Sequence, residues 1–219
     1  MNMKNNWIFA LLAASSLLFA CSKKKDDPDA GKATVNYQVT SSNRTGSNFN
    51  FTSATASGKQ IAFKGNSSAR VEEYLLAFNN VDFFSNGPTG AIASIKVPAG
   101  TYTNAEFNYQ MIPSRSPALE IKGNYTATGG TAVPFKISLD QFVEIATKMP
   151  TITLEAGRTY TATLNLDLQK VVEGISAGDM TNATRTNGEV VIAYYSNPAL
   201  LQTVINNINN VIQHSVTVQ

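Results

Sequence analysis

The chain has 219 residues, 43% of them hydrophobic and only 15% charged, with a formal net charge of +2. That length accommodates one all-β domain or at most two small ones, and the near-neutral balance leaves no basic field for nucleic acid. With one cysteine and one histidine, a disulfide framework, a Ser/His/Asp triad and a histidine-rich zinc site all lack material.

Residues 1–20 read as a lipoprotein signal peptide. Lys4 supplies the basic start, an apolar run covers Trp7 to Ala14, and a second covers Leu17 to Ala20, with Ser15 and Ser16 between them. The runs are too short and too interrupted for a spanning helix. Leu18-Phe19-Ala20-Cys21 reads as a lipobox, with Cys21 the residue that carries the acyl chains after cleavage before it. An acylated Cys21 leaves no thiol for catalysis. Loss of the signal also removes Trp7, the chain's one tryptophan, so stacking on a ligand ring falls to Tyr or Phe.

Residues 21–32 read as the lipidated cysteine and a flexible tether, because Ser22 to Lys32 contains no apolar residue larger than Ala30. Fully extended it spans roughly 35 to 40 Å, enough to hold a domain clear of lipid headgroups. Within it, Lys25-Asp26-Asp27 resembles the export signal of surface lipoproteins in Bacteroidota; the competing reading is a merely solvating charge run.

From Ala33 the hydrophobic period is two. Thr34 to Val39 alternates, as does Asn48 to Phe51, and Ile61 and Phe63 continue the pattern. Val71 to Phe84 is less regular; Leu76, Phe78, Val81 and Phe83 are expected in the core, with a bulge at Asn79-Asn80, and Asn86-Gly87-Pro88 then turns the chain. From Thr101 to Met111 one face carries Ala105, Phe107, Tyr109 and Met111, and the other Tyr102, Asn104, Glu106, Asn108 and Gln110. Further inward sets are Leu119, Ile121 and Tyr125; Val133, Phe135, Ile137 and Leu139; and Tyr160, Ala162, Leu164, Leu166 and Leu168. Sheets dry on one side and wet on the other predict an all-β, antiparallel β-sandwich over residues 33–219.

The period changes at the end. Asn197 is placed to cap a helix with Pro198 at its first position, and Leu201, Ile205, Ile208 and Ile212 follow at helical spacing, predicting a C-terminal α-helix over about 197–214 packed on the sandwich. Asparagine is a poor helix former, so tertiary packing must sustain it. The polar face lacks the Lys and Arg of a membrane-surface helix. His214 reads as a solvated residue at the helix end.

Pro98-Ala99-Gly100-Thr101-Tyr102, Pro117-Ala118-Leu119-Glu120-Ile121-Lys122-Gly123, and Glu155-Ala156-Gly157-Arg158-Thr159-Tyr160 leading into Leu164-Asn165-Leu166-Asp167-Leu168 resemble uncharacterised lipoproteins of Bacteroidota that carry a prealbumin-like β-sandwich domain of unknown function. The resemblance covers most of residues 33–219 and implies fold and location, with no catalytic residues to carry over. Where such proteins often follow that last strand with an aromatic pair, this chain has Val171-Val172.

Asp140 and Glu144, on a strand, would stand roughly 13 Å apart, too far for paired glycosidase carboxylates. No phosphate loop follows a strand and no carboxylate run has calcium-loop spacing, so neither a cofactor nor a metal is expected. The reading is therefore of a non-enzymatic lipoprotein anchored by Cys21 to the outer membrane and facing the cell surface, or otherwise the periplasm. Its partners would be the membrane, through the lipid, and a glycan or an envelope protein. An envelope structural or assembly component is the alternative, and an enzyme a third. Tyr102, Asn104, Glu106 and Asn108 form the candidate ligand-binding face: an aromatic followed by hydrogen-bonding side chains spaced roughly 6.5 to 7 Å apart.

Overall fold

A computed structural model describes residues 29–76, 80–85, 92–211 and 216–218, with side chains described up to Ile208. The signal peptide, Cys21, Lys25-Asp26-Asp27, Phe78, Asn79, the turn at 86–88, Ile212 and His214 lie outside these residues. The chain runs through β1 (Lys32–Ser42), β2 (Phe49–Asn66), β3 (Arg70–Leu76), β4 (Asn80–Asp82), β5 (Ala93–Pro98), β6 (Gly100–Met111), β7 (Leu119–Tyr125), β8 (Val133–Leu139), β9 (Val143–Leu154) and β10 (Thr159–Asp167). It then forms α1 (Leu168–Val171), α2 (Ala177–Asn182), β11 (Arg185–Thr186), β12 (Glu189–Ile192), α3 (Pro198–Val211) and β13 (Val216–Val218).

β2 organises the larger sheet. Along one edge, β6 pairs with residues Gly58 to Asn66 and β7 with Phe49 to Ala56, so these two strands lie end to end beside one long strand. β9 then pairs with β6, and β8 with β7, repeating the arrangement one lane further out. The two outer lanes break at the same level: Gly58 pairs with Met111, which pairs with Val143, while Ala56 pairs with Leu119, which pairs with Leu139. Ser57 is the joint. Its N–H donates to Ala118 O at 3.0 Å and its carbonyl accepts from Ile112 N at 3.0 Å, so the backbone stays satisfied where the lanes bend. On the other edge of β2, β3 and β4 lie end to end.

The second sheet has the order β13-β10-β1-β5 and packs on the first, giving the β-sandwich that the alternation predicts. Its inner residues Val35, Tyr37, Ile95, Val97, Leu164 and Leu166 meet Phe51, Phe63, Phe107, Ile121 and Ile137 of the larger sheet in one core. Tyr37 crosses between the layers: its ring lies 6.1 Å from that of Phe107 and its hydroxyl donates to Ala62 O at 2.6 Å. Gly123 has no side chain for a packing reason, since a Cβ there would collide with Asn50 O and the Phe135 ring.

Several expectations need correction. Two pairings are parallel, β1 with β10 and β12 with β8, because the strands involved are joined by long connections and not hairpins. Leu76 is exposed at the end of β3, whereas Val81 and Phe83 are buried as expected. α1 begins at Leu168, which alternation had placed in the strand, and α2 follows it. Asp167 ends β10 and at once caps α1, with Lys170 N donating to its Oδ1 at 3.3 Å; Ser176 and Asp179 form a capping box that starts α2. The Ser176 side-chain and backbone hydrogen bonds hold the Asp179 carboxyl below its ordinary range.

α3 covers Pro198–Val211, and residues 212–215 lie outside the described residues. Leu201, Val204 and Ile208 are buried and Ile205 is half-buried. Asn197 does not spend its side chain on the cap. It adopts φ +56°, its Oδ1 accepts from Thr184 N at 2.9 Å, and its Nδ2 donates to Thr184 O and Val191 O at 2.9 Å each. The entry to α3 is thereby fastened to β12 and to the residue before β11. Asn207, on the nominally polar face, donates to Val171 O and Glu173 O at 3.1 and 2.7 Å, tying α3 to the end of α1.

Candidate functional site

The wet face assigned to β6 is real over half its length and inverted over the other half. Glu106↔Lys64 is followed by Thr103↔Asn66, so Asn104 and Ala105 together oppose Gly65. This is a β-bulge, and Asn104 adopts φ +50°, a conformation Asn tolerates better than most side chains. The extra residue reverses sidedness before it. Tyr102 is 1% exposed, its ring stands edge-on to Phe63 at 5.0 Å, and its hydroxyl donates to Pro98 O at 2.6 Å. Gly65 makes the space: a Cβ there would lie 3.1 Å from Tyr102 Cβ. Tyr102 therefore cannot stack on a ligand, and Asn104 stands exposed at the bulge, outside the cluster described next.

Glu106 and Asn108 do share an outer face with Gln110, and the sheet order adds a residue from β9. Asn108 Nδ2 donates to Glu106 Oε1 at 2.7 Å and to Glu144 Oε1 at 2.8 Å, and Gln110 Nε2 reaches Glu144 Oε1 at 3.4 Å. Lys64 Nζ stands 4.0 Å from Glu106 on one side and 3.9 Å from Glu72 on the other. Asn108 itself is fully buried beneath these longer side chains, and its Oδ1 has no hydrogen-bond partner. Asp140 lies between β8 and β9, outside any strand, and Glu144 takes its side-chain partners from the neighbouring strand β6.

Glu144 also belongs to the wall of a cavity of about 260 Å³ formed by Leu139, Gln141, Phe142, Val143, Ile205 and Ile208. The Phe142 ring is half exposed, with Lys59 Nζ 5.9 Å from its centroid. The parallel register of β12 on β8 pairs Ile192 with Ile137, so the chain after Ile192 leaves the sheet at the end of β8 from which Phe142 follows. There Tyr194 and Tyr195 form a two-residue turn closed by Ala193 N to Ser196 O at 2.7 Å and Ser196 N to Ala193 O at 3.0 Å. They are 84% and 71% exposed, the most exposed large hydrophobics among the described residues.

Chemically this end of β8 offers aromatic rings, an apolar recess, and carboxylate and amide groups. Among the described residues no three His, Cys, Asp or Glu side chains converge as metal ligands. The sequence held the outward parity of Glu144, since Val143, Ile145 and Thr147 alternate with it, but only the pairing of β9 with β6 brings it to Asn108. No protein-family model, curated protein or solved structure matches the chain.

Proposed function

We propose that the chain is a lipid-anchored protein of the bacterial cell envelope, facing outward, whose non-catalytic sandwich binds a glycan at the end of β8 from which Phe142 follows, around Phe142, Glu144, Tyr194 and Tyr195. One observation carries this reading. Glu144 stands both in the carboxylate–amide cluster and on the wall of the apolar recess beside a half-exposed phenylalanine. A sugar ring has an apolar face and a rim of hydroxyls, so it asks for an aromatic or apolar platform edged by fixed hydrogen-bonding groups. On a glycan array the mature protein is expected to retain a sugar. Phe142→Ala and Glu144→Gln should each weaken that binding about tenfold or more, equivalent to ~1.4 kcal/mol. Retention unchanged in both variants would sink the site.

The anchor rests on the sequence of residues 1–27. Cys21→Ala is expected to leave a protein of unprocessed mass that takes up no labelled fatty acid. Added protease should degrade the wild type on intact cells, and replacing Lys25-Asp26-Asp27 by alanines should protect it. Equal shielding of both forms would turn the domain toward the periplasm. Among the described residues no helix is long and apolar enough to cross a membrane.

A second reading, an envelope assembly component that docks another protein, is favoured by β3. Among the described residues it pairs with β2 alone, and Tyr74, Leu75 and Leu76 are exposed along it. Such an edge is a template for an added strand. Pull-down from intact cells with Tyr74→Lys/Leu76→Lys separates the two readings, since those changes lie outside the Phe142 end.

A further inference from the structure

The opposite end of β8, where Val133 pairs with Tyr125, holds a second constellation. β7 ends at Tyr125, which pairs with Phe49 on one side and Val133 on the other, and its ring lies 4.9 Å from that of Phe49. Tyr125 lines two cavities. One, of about 460 Å³, is formed with Asn48, Phe49, Thr128, Gln169, Val172 and Ile175; the other, of about 290 Å³, with Thr131, Val133, Met180, Thr181 and Arg185. The larger is within the size range of ordinary small-molecule sites.

The Tyr125 hydroxyl is buried and has no hydrogen-bond partner. Its neighbours Phe49, Phe51 and Phe135 show that a plain phenyl ring packs well here. An orphaned hydroxyl is a net cost to the fold, which a partner from outside would remove. Tyr37 and Tyr102 place their hydroxyls on backbone carbonyls. Tyr109 also lacks a partner, but it lies fully enclosed in mid-strand and lines neither cavity. Of these four, only Tyr125 both carries an orphaned hydroxyl and lines a cavity.

Two side-chain amides of the larger cavity are fixed in advance. Asn48 Nδ2 is held by Thr126 O at 3.1 Å, and Gln169 Nε2 by Phe49 O at 3.0 Å. These amides and hydroxyls are uncharged, Phe49, Val172 and Ile175 supply apolar surface, and one acid, Glu173, is balanced across Tyr125 by one base, Arg185. We infer that Tyr125 is the central contact of a second ligand site, one for a small neutral molecule that combines hydroxyls, an amide and a methyl group, as an N-acetylated amino sugar does. The amide carbonyl accepts from Tyr125 Oη while the acetyl methyl meets Phe49, Val172 and Ile175. This site stands independently of the Phe142 end.

Calorimetry on the full mature chain with N-acetylglucosamine and its β-1,4 dimer, against glucose and cellobiose as probes lacking the acetamido group, tests it. The acetylated probes are expected to bind and the others not. Tyr125→Phe should lower that affinity tenfold or more while its own melting temperature is equal to or above the wild type's. Ala177→Leu, at an exposed position on the rim of the larger cavity, should abolish binding with the fold intact. Phe142→Ala should leave the binding unchanged. No binding of the acetylated probes at millimolar concentration, equal binding by Tyr125→Phe, or loss on Phe142→Ala in place of Tyr125→Phe would each overturn the assignment.

Discussion

Replacing Tyr102 by alanine is expected to destabilise the domain by about 3 to 5 kcal/mol, the range for deleting a large buried aromatic side chain. The ring is buried against Phe63, fills the space that Gly65 leaves, and places its hydroxyl on Pro98 O. Alanine leaves a cavity where the ring stood and removes the hydroxyl's hydrogen bond to that carbonyl. The neighbour Thr103, on the outer side of the bulge and exposed, is the control; Thr103→Ala should change stability by no more than about 0.5 kcal/mol. Urea unfolding with an unchanged denaturant slope measures both. A Tyr102→Ala loss as small as the control's would put the ring on the wet face and remove the bulge from the account.

The same residue shows how far a one-chain reading reaches. Alternation from Ala105 to Met111 was legible, and Ala105, Phe107, Tyr109 and Met111 are all buried. The period could not be carried back through Asn104, because sidedness there depends on Gly65 in a strand distant in sequence. Asparagine inside a strand was the local sign that the backbone departs from extended geometry. Glu144 illustrates a different limit. Its outward parity follows from its own strand, but its partnership with Asn108 and Glu106 is a property of strand order, which alternation does not encode. The helices after β10 were hidden by overlap. Leu164, Leu166 and Leu168 keep strand parity, yet Asp167 between them is already the cap of α1. The Ser176 to Asp179 spacing did carry a readable capping box. Nothing in the sequence pattern set Tyr194-Tyr195 apart from an ordinary strand end, since the turn there is made by backbone hydrogen bonds and anchored by Asn197.

Truncation after Ser196 is expected to abolish cooperative melting or lower the midpoint by many degrees. Leu201, Val204 and Ile208 are buried against the sandwich, and burying one such side chain is worth about 1.5 to 3 kcal/mol. Three of them approach the whole stability of a typical domain, about 5 to 15 kcal/mol. Other losses add to this. Removing Asn207 frees Val171 O and Glu173 O, and removing Asn197 frees Thr184 and Val191 O, all currently hydrogen-bonded. The truncation also deletes β13, which covers one edge of β10. A second truncation after Val211 keeps α3 and removes residues 212–219, β13 among them, so it should retain most of the melting temperature. Thermal unfolding of the two truncated chains beside the full one separates the contributions. If the chain ending at Ser196 melts as the intact protein does, α3 is a detachable tail, its apolar face is free to meet another molecule, and partner binding through the helix becomes the better reading of the C-terminus.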